Sequence, residues 1–481
     1  MQALVVILWG TGGCIGREEV LRPETQKPLA GYLFLQVLKA IPSVGNVSDI
    51  PELLPWEGYD ALCKQYGDIV YLEAIGQGLL ILGSSRRAVD LLETRATNYS
   101  DRPDVALIEL TGQGWNFGMM PYGPQWRQHR RVFHDQLKPS AVSQFYPIMY
   151  EETNMFLRKL KSKPKAFLDH IHFVHVGLVG TTIMRATYGI EDPEKNAEFV
   201  HYSEMLVQEV GEAGKPGRYL VNVFPILKYI PAWFPGAGFQ HYFREIAEMS
   251  LKTLEIPPTH PSMTTNYLDR FRGESNASEM LSVARNTTAS GKGFFLVMAN
   301  NPDLQKKAQA ELDAVEVSRW YIAVPLGVAH CTTEDDEYDG YFIPKNTFIL
   351  ANAWAMMHNE EMFDKPFEFN PERFLKDGNI DPSIPDAEHA AFGFGRRICP
   401  GRHFAGDALF ILTASILATF NIDQPKDKAG NRVSISLETT LLLLTRSKLL
   451  PFECDITPRL QTENLPPLLG FLARRTRTMR A

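Results

Sequence analysis

The run of apolar and polar positions divides the chain into many helices and a few short strands. Residues 68–82 (DIVYLEAIGQGLLIL) suit two short strands around Gly76-Gln-Gly78. Residues 86–97 predict a helix. Helical spacing continues through 124–160, interrupted at Lys138-Pro139, and returns over 165–187 and 195–212. Residues 213–240 are rich in Gly, Pro and aromatics and read as a loop between helices, and residues 256–262 (IPPTHPS) break the chain again. A helix is expected over 280–314, with a break near Asn301-Pro302. Short strands follow near 338–350, with Gly340 and Pro344 as turn residues. Asp381 to Arg402 reads as a long loop, and Phe404 to Phe420 is apolar enough for a buried helix. There is no strand–helix alternation and no internal repeat. The expected fold class is therefore mainly α with small β-sheets, in a single large domain over 41–481 behind an N-terminal segment, 1–40.

That N-terminal segment holds two apolar runs. Ala3 to Trp9 stops at Gly10, and Leu29 to Ile41 contains Gly31 and Lys39. Neither reaches the ~18 residues of a spanning helix, and no basic residue precedes the first as a signal peptide requires. The residues alone favour a buried or interfacial segment, or at most a weak anchor. Between the runs, Gly10-Thr-Gly12-Gly13-Cys-Ile-Gly16 imitates a pyrophosphate cradle. The helix that should follow is cut short at Pro23, so a nucleotide-dependent oxidoreductase is a minor alternative.

Composition narrows the classes. The chain is 44% hydrophobic and 22% charged, as soluble cores are, and its net charge of −7 argues against a nucleic-acid partner. Its 5 cysteines (Cys14, Cys63, Cys331, Cys399, Cys454) are odd in number and far apart, which disfavours a disulfide framework or a zinc site.

One cysteine has chemistry built around it. In Phe392-Gly-Phe-Gly395-Arg-Arg397-Ile-Cys399-Pro-Gly401, the glycines permit positive φ and close approach to a flat group. Arg396 and Arg397 favour the metal-binding thiolate over the thiol, and a guanidinium can pair with a carboxylate. Phe392 can shield the sulfur, and the helix after the loop aims its positive end at it.

This loop resembles the FxxGxRxCxG pattern of the cytochrome P-450 superfamily without a mismatch. Other landmarks of that family appear in order. Tyr122-Gly-Pro124 and Trp126-Arg-Gln-His-Arg130 resemble its WxxxR helix, Glu316-Val-Ser-Arg319 its ExxR helix, and Pro371-Glu372-Arg373-Phe374 the later segment that pairs with it. The resemblance covers roughly residues 41–456 and implies the P-450 fold with haem b, its iron held by Cys399. Phe392, Gly393, Arg397 and Gly401 would sit against the cofactor, Trp126, Arg130 and His330 would meet its propionates, and Glu316, Arg319 and Arg373 would form a structural network.

The oxygen-activating helix matches less well. Its best counterpart is Val283-Ala-Arg285-Asn286-Thr287-Thr288, with Thr287 as the hydroxyl and Asn286 where the family carries an acid. The helical segment that eukaryotic members carry before ExxR is also missing. The implied activity is a monooxygenase acting on a lipophilic substrate with O2 and an NADPH-dependent flavoprotein reductase. It would sit at the cytosolic face of the endoplasmic reticulum membrane and resembles fungal enzymes of secondary and xenobiotic metabolism, the O-methylsterigmatocystin oxidoreductase-like type above all. The alternative is a degenerate haem binder, or an isomerase or dehydratase of the same fold that does not activate oxygen.

Overall fold

The computed structural model describes residues 45–167, 219–254 and 316–459, apart from short stretches within them, and a few positions between 185 and 209. The apolar runs before residue 41, the glycines at 10–16, most of 165–212 and the expected helix over 280–314 lie outside the described residues.

Helix α1 (Pro55–Tyr66) opens on a proline, which lacks the N–H that a first helical turn leaves unused, and closes on Gly67. Its buried Trp56, Tyr59 and Cys63 recur at helical spacing and pack on a sheet that begins at once. Strands β1 (Ile69–Ala74) and β2 (Gln77–Leu82) pair antiparallel. Ile75 and Gly76 between them both have positive φ (51° and 78°), the twist that a two-residue hairpin needs.

The expected helix over 86–97 is broken into three pieces: an α-turn at Ser85–Val89, a wider π-type turn at Asp90–Thr94 and a second α-turn at Ala96–Tyr99. The expected break at Lys138-Pro139 does separate α2 (Pro124–Leu137) from α3 (Tyr146–Ser162). Trp126, His129, Phe133 and Leu137 form the buried stripe of α2. Helix α4 (Phe239–Leu254) follows two short 3-10 turns in the aromatic-rich loop.

The C-terminal part completes the sheet. Strand β3 (His330–Cys331) runs beside β6 (Phe348–Ala351), and β6 pairs parallel with β2, giving the order β1-β2-β6-β3. Between β3 and β6, β4 (Asp336–Tyr338) and β5 (Tyr341–Ile343) form a hairpin turned by Asp339 and Gly340. The short helix α5 (Ala353–Met357) is capped by the Asn352 side chain.

Helix α6 (Arg402–Thr419) is buried along most of its length and forms the spine of the largest core cluster. It packs Phe404, Ala408, Ile411 and Leu412 with Met149, Phe156, Leu157 and Leu160 of α3. Thr413 and Ser415 sit in this apolar setting because each hydroxyl donates to the carbonyl one turn earlier. Strand β7 (Phe420–Asp423) leaves the helix and pairs with β8 (Asp455–Pro458). The molecule is thus mainly helical with small sheets, as the pattern of apolar positions predicts. Among the described residues no helix is long and apolar enough to cross a membrane.

Candidate active site

The loop before α6 is held by its own backbone. The Cys399 N–H donates to the Phe392 carbonyl at 2.9 Å and the Ile398 N–H to Gly395 at 3.2 Å, so the chain doubles back and brings Cys399 beside Phe392. Gly393 and Gly395 take positive φ (83° and 57°). Gly395 is required for a second reason: a Cβ there would lie 2.1 Å from the Leu92 carbonyl oxygen. Its N–H donates to the Glu93 carboxylate at 3.0 Å, which ties the loop to the π-type turn. Phe394 anchors the loop in the core, while Phe392 and Cys399 are half-buried. Gly401 caps α6, so the positive end of a long buried helix starts right behind the thiol.

Basic groups gather next to this loop. Arg397 is buried, donating from Nε to the Ser100 carbonyl at 2.7 Å and from Nη2 to the Met120 carbonyl at 2.9 Å. Its guanidinium lies 4.5 Å from the centre of the Trp126 ring, a cation–π contact, and Trp126 in turn stacks on Phe117 at 5.1 Å. Arg102 is also buried, with Nε on the Gly118 carbonyl and Nη1 on those of Val328 and Ala329, each at 2.8 Å. His330, at the start of β3, has Nδ1 2.8 Å from the Tyr99 carbonyl. A carbonyl only accepts, so Nδ1 carries the proton and Nε2 is the open nitrogen of the neutral ring. Burial, then the charges of Arg102 and Arg397, hold the His330 pKa well below the usual imidazole range. Arg130 reaches from α2 to the Ile398 carbonyl at 2.5 Å.

Two features say what this cluster accommodates. The carbonyl oxygens orient these guanidiniums, and burial is the main reason the His330 pKa is low, with the nearby Arg102 and Arg397 charges adding to it. The Trp126 indole N–H is buried and has no hydrogen-bond partner in the structure, a cost that a native fold rarely carries without a purpose. Donors of this kind fit the carboxylates of an anionic cofactor placed over the thiol loop.

A model of the family Cytochrome P-450 matches residues 35–256 and 315–450. The chain belongs to the cytochrome P-450 family. A cytochrome P-450 monooxygenase of Coprinopsis cinerea is 41% identical over 474 residues, an alignment covering 88% of this chain and 90% of the relative. A second from the same fungus is 36% identical, covering 88% of each. The tryptamine 4-monooxygenase of Psilocybe cyanescens is 32% identical, covering 88% of this chain and 92% of its own. The protein is accordingly a haem-thiolate monooxygenase whose cofactor is haem b, working with O2, an organic substrate and a reductase as redox partner. The P-450 match leaves out 257–314, the stretch that holds Asn286 and Thr287, and both residues also lie outside the described residues.

The other family landmarks assemble. Glu316 and Arg319 are completely buried and joined by two hydrogen bonds of 2.7 Å. Arg319 also donates to the Met357 and Pro366 carbonyls. Arg373 approaches Glu316 at 3.2 Å and spends its remaining donors on the carbonyls of Asp364, Lys365 and Glu368. The Asn370 N–H adds a further bond to Glu316. One carboxylate therefore holds two guanidiniums and a backbone amide, and this knot joins the segment at 316–320 to that at 364–373.

Arg102 has no counterpart among the residues singled out from the sequence. It stands in an ordinary Ser-Asp-Arg-Pro stretch, and its acceptors come from positions 118, 328 and 329. The one signal was Pro103, which marks the stretch as extended backbone next to the sheet.

Proposed function

We propose that this P-450 oxidises a lipophilic organic substrate of fungal secondary or xenobiotic metabolism, using electrons from an NADPH-dependent flavoprotein reductase. The observation that carries the site assignment is the buried, unpartnered Trp126 N–H beside Arg397 and next to the Cys399 loop. In this reading Cys399 Sγ holds the iron, with Phe392, Gly393 and Gly401 against the cofactor. Trp126, Arg397, Arg102 and His330 bind its carboxylates. Two incoming carboxylates would raise the His330 pKa and let Nε2 donate as well.

When bound, the haem activates O2, and its thiolate ligand favours O–O cleavage. The chain's own part would be to keep the sulfur deprotonated, to fix the ring's orientation through its carboxylates, and to supply the Thr287 hydroxyl. Asn286 cannot relay a proton as the family's acid does. That substitution, with the unmatched 257–314 segment, defines the competing reading to be tested: an isomerase or dehydratase of the same fold that does not activate oxygen. Reconstitution with a P-450 reductase separates the two. Monooxygenase function gives NADPH-dependent oxygen consumption that rises with added lipophilic substrate. Full haem loading without consumption above that of the reductase alone would favour the second reading.

We further propose association with the cytosolic face of the endoplasmic reticulum membrane. Phe224, Ile226, Tyr229, Trp233 and Phe234 stand exposed together on the loop before α4, with Trp233 81% exposed, and soluble surfaces rarely gather so much apolar area. Burying one large apolar side chain is worth ~1.5–3 kcal/mol. The paired substitution Ile226→Asp and Trp233→Asp should therefore lower partitioning onto phospholipid vesicles at least about tenfold in a flotation assay. An unchanged floated fraction would place the contact elsewhere.

A further inference from the structure

We infer that Asn98 and Tyr99 are positioning residues for His330, clamping the stretch around the Tyr99 carbonyl so that the imidazole is held in one orientation and one tautomer. The inference rests on the reading above in which His330 meets a cofactor carboxylate. The Tyr99 carbonyl takes His330 Nδ1 at 2.8 Å. That contact puts the proton on Nδ1 and leaves Nε2 for the ligand, so whatever holds the carbonyl also decides which nitrogen is offered. Arg397 leans on the neighbouring Ser100 carbonyl, but it has the Met120 carbonyl and the Trp126 ring besides.

Regular structure does little to hold the stretch. Ala96–Tyr99 is a single α-turn, and beyond it Asp101 makes one isolated bridge to Cys331. Side chains do the holding. Asn98 Oδ1 accepts from the Thr333 N–H at 2.9 Å, the Glu334 N–H at 2.8 Å and the Thr333 hydroxyl at 3.0 Å, and the Asn98 amide donates to the Glu334 carbonyl at 3.1 Å. An asparagine that merely closed a turn would bond to backbone close by in its own sequence. Asn98 makes these four bonds to residues 235 and 236 positions away. Beside it the Tyr99 ring is fully buried, and its hydroxyl donates to Asp336 Oδ2 at 2.8 Å. Burial, then the Asp336 carboxylate, push the phenol up, so it stays protonated and stays a donor. Arg95 pairs with the same carboxylate at 2.8 and 3.0 Å. Thr333, Glu334 and Asp336 all belong to the segment that runs on from His330. The clamp therefore ties both ends of the His330–Tyr99 bond into one frame.

Asn98→Ala, Asn98→Asp, Tyr99→Phe and His330→Phe are purified haem-loaded beside wild type, together with Asn98→Ala and Tyr99→Phe each combined with His330→Phe. Two quantities are read: the rate of haem transfer to excess apomyoglobin and the midpoint potential of the haem iron. His330→Phe speeds haem loss and shifts the potential. Asn98→Ala speeds the loss about three- to tenfold, the effect of about one net hydrogen bond, and moves the potential in the same direction. Asn98→Asp, which keeps the three accepting bonds, recovers most of the wild-type lifetime. In the His330→Phe background the effect of Asn98→Ala falls to within about twofold and its shift in potential disappears, since the group it positions is gone. Equal acceleration in both backgrounds would overturn the inference and leave the clamp as a part of general stability. Wild-type readings in Asn98→Ala and in Tyr99→Phe would overturn it as well. Should Asn98→Ala fail to fold, Tyr99→Phe carries the same comparison by itself. If His330→Phe alone left both quantities unchanged, the carboxylate role of His330 would fall and the inference with it, while Cys399 as ligand would stand.

Discussion

Replacing Cys399 with serine abolishes the strongly red-shifted Soret band of the reduced, carbon monoxide-bound protein. In the proposed site the cysteine supplies iron with a thiolate, which the far less acidic serine hydroxyl would not replace. Two features would serve a thiolate there: α6 begins immediately behind the loop with its positive end forward, and Arg397 lies two residues before the cysteine. The other cysteines among the described residues cannot substitute. Cys63, Cys331 and Cys454 are buried in apolar surroundings, and desolvation raises each thiol, Cys331 to about 11 and Cys63 to about 12. The expected change is therefore complete loss of the band, read directly in the difference spectrum. A variant that kept the band would move the ligand to another residue and undo the site as assigned.

The thiol loop was legible in the sequence because its chemistry is local. Phe392, Gly395, Arg397, Cys399 and Gly401 are close neighbours in the chain, and the bonds from Cys399 N–H to Phe392 and from Ile398 N–H to Gly395 fold them into one loop. The Glu316 knot was legible for the same reason, since a three-residue separation puts Glu316 and Arg319 on one helical face. Arg102 was hidden because its acceptors come from distant parts of the chain, at 118 and 328–329. The break in the expected 86–97 helix was hidden for a related reason. The Gly395 turn packs on Leu92 and bonds to Glu93, so the local helical preference yields to a partner that lies about three hundred residues away in sequence. His330 could be read from sequence either as a ligand or as a bland loop residue. It is buried at the start of β3 and feels the charges of Arg102 and Arg397, the setting that the proposed ligand role would use.

Glu316→Leu is expected to destabilise the fold by about 3–5 kcal/mol, the cost of leaving a buried charge uncompensated. Arg319 is fully buried and Arg373 nearly so, and both would lose their only carboxylate seen in this knot while remaining charged. The carbonyls of Met357, Pro366, Asp364 and Glu368 would still orient them, but carbonyl dipoles do not cancel a full charge. Denaturant unfolding of the haem-loaded protein measures the effect. Asp60→Asn is the reference, because its partner Lys64 is 72% exposed and such a pair contributes about 0.2–1 kcal/mol. If Glu316→Leu unfolded within about 1 kcal/mol of wild type, the knot would not be what holds 316–320 to 364–373.

The parallel pairing of β2 with β6 has a temporal meaning. A ribosome releases Gln77–Leu82 long before Phe348–Ala351, so the central sheet cannot close until most of the chain has emerged. Arg102 waits on the same event, since Val328 and Ala329 complete its surroundings. The nascent N-terminal part is thus exposed for most of synthesis with an open strand edge, the kind of surface that chaperones shield. With Cys399 as the proposed ligand, cofactor capture also becomes a late step, since that residue leaves the ribosome after β6.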